Sequence, residues 1–99
     1  AMNIHRNASG TALTLTLEGR LDTTTAPLLD AELKKSIAGV TELILDFEKL
    51  EYISSAGLRV LLSTQKTMNK QGTMVIRHVN ETVMEVFEVT GFVDILTIQ

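Results

Sequence analysis

The chain has 99 residues, of which 44% are hydrophobic and 21% charged, and its formal net charge at neutral pH is −3. This length suits one small domain with one core, and this composition excludes a disordered tail. The sequence contains no cysteine, which excludes disulfides, thiolate zinc sites and cysteine nucleophiles. The mild negative charge argues against nucleic acid as the main partner.

Apolar runs in the sequence are short. No run of leucine, isoleucine and valine residues exceeds three, which is too few for a membrane-spanning helix or for the apolar segment of a signal peptide. We therefore expect a cytoplasmic protein, or a cytoplasmic piece of a larger one, with no membrane span. We also expect a single domain over residues 2–99, with Ala1 left over from the removal of a tag.

The first part of the chain predicts a β-hairpin. Residues 2–6 are a short strand candidate, and Leu13, Leu15 and Leu17 alternate with polar residues, which is the period of a strand with one covered face. Turn-forming residues occupy positions 7–10. The two strands are therefore predicted to pair through a turn at these positions.

The period then changes to that of a helix. Leu29, Leu33 and Ile37 recur every four residues, which is the spacing of one helix face. Pro27 lies in the first turn and Gly39 just past the last one, as is typical of helix ends. This segment is therefore predicted to be the first helix.

The second half of the chain alternates between strand and helix patterns. Residues 42–47 contain a continuous apolar run and predict a strand buried on both faces, followed by a loop. The remaining predicted elements are a helix at 55–70, a strand at 74–77, a helix at 81–91 and a strand at 93–98. This order predicts an α/β fold, with a mixed, mostly parallel sheet that carries an N-terminal hairpin and three helices packed against it.

Most catalytic and metal-binding patterns are missing from the sequence. His5 and His78 lie in separate strands with no carboxylate at ligand spacing, so no metal site is predicted. The sequence has neither of the glycine-rich phosphate-binding loops G-x-x-x-x-G-K-[ST] and G-x-G-x-x-G. Asp46 is either a phospho-accepting aspartate or a residue that ends the strand or caps the next turn. Further carboxylates to hold Mg²⁺ are missing, which favours the second interpretation.

Two serines stand where the second helix is predicted to begin. One interpretation is structural: the hydroxyl of Ser54 or Ser55 caps the helix by accepting a hydrogen bond from a free amide. The other interpretation is a regulatory phosphoserine. The amino end of a helix tolerates a phosphate because its amides are free and its dipole is positive there. Arg59, one turn after Ser55, is placed to approach such a phosphate.

Charges of opposite sign are segregated along the second half of the chain. Between Ser55 and His78 every charged side chain is basic, and from there onward every one is acidic. The basic residues are Arg59, Lys66, Lys70 and Arg77, and the acidic ones are Glu81, Glu85, Glu88 and Asp94. A phosphate added beside the basic face would change how a partner meets that surface.

A resemblance to a known family covers essentially the whole chain in three segments. Residues 52–62, YISSAGLRVLL, resemble the signature of STAS domains, in particular the anti-sigma factor antagonists. Residues 19–22 with 25–28 resemble that family's second recurrent segment, and residues 90–92 resemble its third. The resemblance implies a mixed sheet with helices packed against it and a partner-binding surface around the start of the second helix. The residues of that surface are Asp22, Ser54, Ser55, Ala56, Gly57, Leu58 and Arg59.

The resemblance also implies how such a protein works in the bacterial cytoplasm. The unphosphorylated antagonist binds an anti-sigma factor that is itself a serine kinase of the GHKL ATPase type, and the sigma factor is freed. The kinase phosphorylates the antagonist and releases it, and a PP2C-type phosphatase resets the cycle. The acceptor in this pattern falls on Ser55, with Ser54 as a second candidate, and Asp22 matches an acidic loop residue close to the acceptor.

The sequence departs from the family's pattern in two places. An aspartate usually stands directly before the acceptor, and this chain has Ser54 there. Many relatives also continue into a carboxy-terminal helix beyond the position of Gln99. The first departure removes a negative charge next to the acceptor and bears on recognition by the kinase.

Two other functions compete with partner switching. The first is a non-switching STAS interaction domain in another signalling or transporter-linked assembly, with both serines acting only as caps. The second is a ligand-binding or enzymatic domain. Neither Glu51 nor His78 is placed by a motif as the base that would activate a serine, so no enzymatic activity and no cofactor are predicted. The candidate polar residues for this second alternative are Asp22, Asp46, Ser54 and Ser55.

Overall fold

Two antiparallel strands open the part of the chain that the computed structural model describes, residues 2–99. Strands β1 (Met2–Ser9) and β2 (Ala12–Leu21) pair along the whole of β1. The hairpin is confirmed, but its turn does not begin at residue 7, because residues 7–9 still pair with β2. Gly10, whose φ is 61°, supplies the left-handed conformation that a two-residue turn requires. Ala1, which we predicted to be left over from the removal of a tag, lies outside the described residues.

The strands form one mixed sheet. Strand β3 (Glu42–Ile53) pairs with β2 in parallel, and strand β4 (Thr73–Arg77) pairs with β3 in parallel, so the order is β1-β2-β3-β4. Helix α1 (Ala26–Ser36) connects β2 to β3, helix α2 (Ser55–Gln71) connects β3 to β4, and helix α3 (Glu81–Thr90) follows β4. The predicted fold class is confirmed. Within residues 2–99 none of the helices combines the length and the apolar character needed to cross a membrane.

One face of the sheet carries the core. Alternate strand residues on that face are fully buried, among them Leu15, Leu45 and Ile76. Ile44 and Val75, on the opposite face, are only half-buried, so the prediction that β3 is covered on both faces is wrong. The buried residues of all three helices belong to the same cluster as the buried strand residues. Within residues 2–99 no helix is left to cover the opposite face of the sheet.

Strand β3 is longer than predicted and contains a bulge. Between Asp46 and Lys49 it has one residue more than the facing stretch of β2. The charged residues among positions 48–51 predicted a loop, whereas the strand continues until only Ser54 separates it from α2. Asp46 therefore lies inside the strand, and the prediction that it ends the strand is wrong.

The predicted last strand at 93–98 is also wrong. Phe92–Asp94 form a 3₁₀ turn, and the amides of the next two residues donate back to the Phe92 carbonyl. These local bonds leave only residues 97–99 to reach β4, where they make two backbone hydrogen bonds to Ile76. The segment thus adds a single bridge to the sheet.

The helices pack on the sheet through the residues that the sequence periodicity indicated. Each fully buried aliphatic side chain contributes about 1.5–3 kcal/mol to the stability of the fold relative to an exposed one. The buried row of residues on each helix therefore holds that helix on the sheet. Ile37, Leu62 and Val86, also predicted to be buried, are half-buried. The fully covered residues of the predicted rows are Leu29, Leu33, Leu58, Leu61, Met68, Val83 and Phe87.

Asn80 joins the start of α3 to the sheet. Its side-chain oxygen accepts a hydrogen bond from the Val83 amide at 2.8 Å, and its side-chain nitrogen donates to the Leu50 carbonyl at 2.9 Å. We expect Asn80→Ala to lower the free energy of unfolding by about 1–2 kcal/mol, because both bonds are lost. Asn80→Ser keeps a capping oxygen and is expected to lose less. Urea unfolding measures both variants, and an Asn80→Ala chain as stable as the wild type would contradict this role.

Candidate functional site

The start of α2 is pinned to the end of β2. The Ser54 amide donates to the Leu21 carbonyl at 2.9 Å, and the Ser54 carbonyl accepts the first helical hydrogen bond, from the Leu58 amide, at 3.0 Å. Ser54 has an extended backbone, with φ −101° and ψ 176°, as is usual for the residue that precedes a helix. The helix therefore begins at Ser55, where the sequence predicted it.

The two serines differ in exposure. The Ser54 Oγ is buried and has no hydrogen-bond partner within residues 2–99, whereas Ser55 is exposed on the first turn. In the described part of the chain neither hydroxyl caps the helix, so the prediction of a serine cap is wrong. The physical reason is that the Ser54 hydroxyl is packed inside instead of facing the amides. The amides of residues 55–57 precede the first helical bond and lack a side-chain cap.

A glycine lets α2 approach the sheet closely. A Cβ atom on Gly57 would lie 2.7 Å from Leu21 Cγ and 2.8 Å from Ile53 Cγ1. Both neighbours are fully buried core residues, which cannot move aside without disturbing the surrounding packing. Gly57 therefore sets the distance at which α2 begins over the ends of β2 and β3.

Asp22 organises the loop between β2 and α1. Its Oδ1 accepts hydrogen bonds from the amides of Thr24 and Thr25 at 3.0 and 3.1 Å, and from their hydroxyls at 2.8 and 3.2 Å. The hydrogen bond from the Thr24 hydroxyl, with those from Thr25, lowers the pKa of Asp22. Because Asp22 directly follows Leu21, whose carbonyl holds Ser54, the loop lies beside the start of α2.

A groove of about 480 Å³ runs between α1 and α2 and is lined on the α2 side from Ala56, the residue after Ser55, onward. Asp30 and Lys34 on its α1 wall form an ion pair at 3.0 Å. Arg59 on its α2 wall is exposed, and within residues 2–99 no acidic side chain lies at ion-pair distance from it. The groove thus combines small apolar side chains with one positive charge, that of Arg59, which forms no ion pair within residues 2–99. Its lining residues are Thr23, Ala26, Pro27, Asp30, Lys34, Ala56, Arg59, Val60 and Ser63.

The structure places the predicted site residues at different depths. Ser55 and Arg59 are exposed, and Ala56 is half-buried in the groove wall. Gly57 and Leu58 are buried, so they shape the surface through the packing of α2. The predicted segregation of charge also lies at the surface, and the exposed residues are Arg59, Lys66 and Lys70 on α2 and Glu81, Glu85 and Glu88 on α3.

The sequence prediction missed a histidine–carboxylate pair. His78 Nδ1 lies 2.9 Å from Asp46 Oδ1, so the fold brings to His78 a carboxylate that no spacing in the sequence had indicated. Parallel pairing puts Asp46 opposite Arg77, and His78 follows with a φ of 60°. His5 likewise lies 3.7 Å from a carboxylate on the neighbouring strand. Aligning the two parallel strands by their buried residues is the signal that could have found the first pair.

The pair shifts the titration of both partners. The hydrogen bond to Asp46 raises the pKa of His78. Partial burial raises the pKa of Asp46, but hydrogen bonds from His78 and from the Glu48 amide outweigh it, and the net shift is downward. Asp46 precedes Ser54 by eight residues along β3, a separation of about 25 Å in an extended strand. The structure therefore does not bring Asp46 and the serines into one site.

A cation–π contact that the sequence prediction also missed lies at the serine end of the sheet. The Arg20 guanidinium is 4.5 Å from the centre of the Tyr52 ring. The two residues are partners in the pairing of β2 with β3, one position before Leu21 and Ile53. The contact joins the two strand ends on which α2 begins.

Comparison with known proteins places this arrangement in a family. The sequence model of the STAS domain matches residues 3–99. BtrV of Bordetella bronchiseptica, named as a candidate anti-sigma factor antagonist, is 39% identical over 84 residues, which are 83% of this chain and 72% of that protein. The anti-sigma-B factor antagonist of Bacillus subtilis is 26% identical over 98 residues, which are 98% of this chain and 90% of that protein. The chain belongs to the STAS domain family.

Solved structures share the fold. The crystal structure of an anti-sigma factor antagonist from Mycobacterium paratuberculosis matches with a TM-score of 0.90 at 18% identity, over 99% of this chain and 85% of that chain. SpoIIAA, an anti-sigma factor antagonist of Bacillus, is solved in unphosphorylated and phosphorylated forms, with TM-scores of 0.76 and 0.75 at 20% identity. Both matches cover 100% of this chain, and 87% and 91% of the respective SpoIIAA chains. The resemblance to STAS domains of the antagonist type is confirmed.

Gly57 gives a test of how α2 is seated. We expect Gly57→Ala to lower the free energy of unfolding by about 1–3 kcal/mol, because the new methyl group would overlap Leu21 and Ile53. The expected decrease is a net value: the cost of the overlap is larger than the gain of about 1 kcal/mol that alanine brings to a helix in place of glycine. Ser63→Ala, on the exposed side of the same helix, is the control and should change stability by less than about 0.5 kcal/mol. Urea unfolding of a Gly57→Ala chain that is no less stable than the wild type would contradict the close packing.

The His78–Asp46 pair gives a pH dependence with a definite sign. Since the pKa of His78 is raised above its ordinary value of 6.5, the contribution of the pair to stability is complete below that value and is lost as the pH rises through the raised pKa. At the acid end the contribution is lost as the pH falls through the lowered pKa of Asp46. We expect Asp46→Asn to bring the pKa of His78 back toward 6.5, measured by NMR titration of the imidazole in metal-free buffer.

The control for this titration is Glu18→Gln, which removes the carboxylate beside His5 and should leave the pKa of His78 unchanged. His78 is largely exposed, with 56% of its side chain accessible, so the pair is screened and its titration is a more sensitive readout than stability. A pKa of His78 that is the same in Asp46→Asn and in the wild type would contradict the pair.

Proposed function

We propose that this chain is an anti-sigma factor antagonist that switches partners through phosphorylation of Ser55. In its unphosphorylated form it binds, in the bacterial cytoplasm, an anti-sigma factor that is a serine kinase of the GHKL type, and the sigma factor is freed. The observation that carries the proposal is the exposed Ser55 at an uncapped helix start, in a STAS domain with relatives that are named anti-sigma factor antagonists.

Exposure supports Ser55 over Ser54 as the acceptor. A kinase must bring the γ-phosphate of ATP into line with the attacking hydroxyl oxygen. The Ser54 Oγ is buried, so the first turn of α2 would have to open before that oxygen reached a kinase active site. Ser55 is exposed in the folded domain and needs no such opening.

The start of α2 is an electrostatically favourable place for a phosphate. A phosphoserine carries a charge of about −1.5 to −2 at neutral pH. The first turn of α2 has no acidic residue, and the amides of residues 55–57 and the Arg59 guanidinium supply positive potential. The phosphate is therefore compatible with the fold, and its effect falls on the surface and on what binds there.

Release of the partner follows from charge and bulk at a packed interface. The unphosphorylated surface presents Arg59 at the groove between α1 and α2, with no acidic side chain of residues 2–99 at ion-pair distance. A charge of about −2 next to Arg59 reverses the local potential, and the hydrated phosphate must be desolvated or excluded when a partner packs there. The antagonist leaves the kinase, and a PP2C-type phosphatase restores the binding form.

One feature of the sequence favours a competing function. Ser54 stands where the family pattern has an aspartate, and its buried Oγ offers no negative charge beside Ser55. A kinase that requires that carboxylate would leave Ser55 unmodified. The domain would then act as a non-switching interaction module, and the measurements below separate the two functions.

Phosphorylation is tested by intact-mass measurement. The Ser55→Ala chain is the bait for the kinase in extracts of the native cell, because it binds and cannot be released by phosphorylation. With the captured kinase and ATP, we expect the wild type and Ser54→Ala to gain one phosphate each and Ser55→Ala to gain none. A phosphate on Ser54 in the Ser55→Ala chain would move the acceptor to Ser54, and an unmodified wild type would favour the non-switching module.

Binding to the captured kinase tests the switch itself. We expect Ser55→Asp to bind at least about tenfold more weakly than the wild type, a loss of about 1.4 kcal/mol or more. Ser55→Ala should bind like the wild type and stay bound when ATP is added. Ser9→Asp, which adds the same charge at an exposed position on β1, is the control for net charge. Equal affinities of Ser55→Asp and Ser55→Ala would overturn the switch.

A further inference from the structure

A second cluster of polar side chains lies on β3 and β4, away from the start of α2. Asp46, Glu48 and His78 each offer one metal-ligand atom, and these atoms all lie within 4.8 Å of one another. Asp46 directly precedes the bulge of β3, Glu48 lies within it, and His78 directly follows β4. The proposed partner switch at Ser55 uses none of them.

Two hydrogen bonds fix the carboxylate of Asp46 within the cluster. Asp46 Oδ1 accepts a hydrogen bond from the Glu48 amide at 3.0 Å and lies 2.9 Å from His78 Nδ1. The Asp46 side chain is 22% exposed, so its carboxylate is oriented by two neighbours and still open to solvent. Such fixed orientation of a ligand favours metal binding, because less freedom is lost when the cation arrives.

The spacing of the two best-placed ligands is close to that of a tetrahedral zinc site. Ligands bonded to Zn²⁺ at about 2.0–2.1 Å lie about 3.3 Å apart in a tetrahedron. The 2.9 Å between His78 Nδ1 and Asp46 Oδ1 must widen by about 0.4 Å when the metal replaces the shared proton, which leaves to solvent. The Glu48 side chain is long and exposed, so its carboxylate can close the remaining distance.

The ligand types select the class of metal. One imidazole nitrogen with two carboxylates suits Zn²⁺ and similar first-row cations, whereas Mg²⁺ and Ca²⁺ prefer sites built entirely from oxygen. Arg77 pairs with Asp46 across the strands, and its charge opposes any cation. The two carboxylates and this one arginine leave a single net negative charge around the imidazole. Because so small a charge attracts all divalent cations only weakly, the preference of the imidazole nitrogen for zinc-class cations decides which metal binds.

We propose that Asp46, Glu48 and His78 bind one zinc-class divalent cation, with the fourth coordination position open to water. The bound cation joins the middle of β3 to the connection between β4 and α3. Because His78 lies two residues before Asn80, which caps α3, the cation also restrains the start of that helix.

Titration calorimetry with Zn²⁺ on the chain pretreated with a chelator tests the site. We expect one site in the wild type, binding at least about tenfold weaker in His78→Gln and in Asp46→Asn, and no comparable binding of Mg²⁺. The matched control is His5→Gln. His5 lies 3.7 Å from Glu18, but within residues 2–99 the three-ligand cluster is at His78 alone, so the control should keep the affinity of the wild type.

NMR locates the bound cation. With one equivalent of Zn²⁺ the imidazole signals of His78 are expected to shift while those of His5 stay in place. Far-UV circular dichroism of each variant shows whether it is folded, and His78→Gln alters an exposed side chain outside the core. Three results would each overturn the proposal: no binding at millimolar Zn²⁺, a loss in His5→Gln as large as in His78→Gln, or Mg²⁺ binding as tight as that of Zn²⁺.

Discussion

The contact of Gly57 with Leu21 and Ile53 is the constraint on which the site depends. It brings the first turn of α2 onto the ends of two parallel strands, closer than any side chain at position 57 would allow. At that distance the Ser54 amide reaches the Leu21 carbonyl, and its hydroxyl is enclosed. The next residue, Ser55, then lies on the outer side of the turn. The exposure of Ser55, the proposed acceptor, is thus a consequence of how the helix is seated on the core.

Most of the fold could be predicted because its signals are local. Leucines two residues apart in strands and four apart in helices mark the buried faces without reference to the rest of the chain. The errors fall where a segment's state depends on a distant partner. Residues 48–51 look like a loop, but pairing with β2 keeps them in a bulged strand. Residues 93–98 have the composition of a strand, but bonds to the Phe92 carbonyl hold half of them in a turn.

The position of the candidate site could be predicted from the sequence, but the different exposure of its two serines could not. The motif marked the start of α2, whereas the difference between Ser54 and Ser55 comes from side-chain packing against strands far away in the chain. A capping serine is the common outcome at such a position, and here the packing of the Ser54 hydroxyl overrides it. Asp46 and His78 are 32 residues apart, and only the register of two parallel strands makes them neighbours.

The proposed switch at Ser55 requires no rearrangement of the domain. The helix is already formed, and the proposed acceptor is already exposed. Asp22 accepts hydrogen bonds within its own loop from the amides of Thr24 and Thr25, and within residues 2–99 it forms no ion pair with Arg59. A phosphate would therefore change the surface by its own charge and volume. Salt at physiological concentration screens interactions between exposed charges that are more than about 8 Å apart, but it does not change the volume of the phosphate group. Because Ser55 directly precedes Ala56 in the groove wall, a phosphate added by the proposed switch would exclude a packed partner even where its charge is screened.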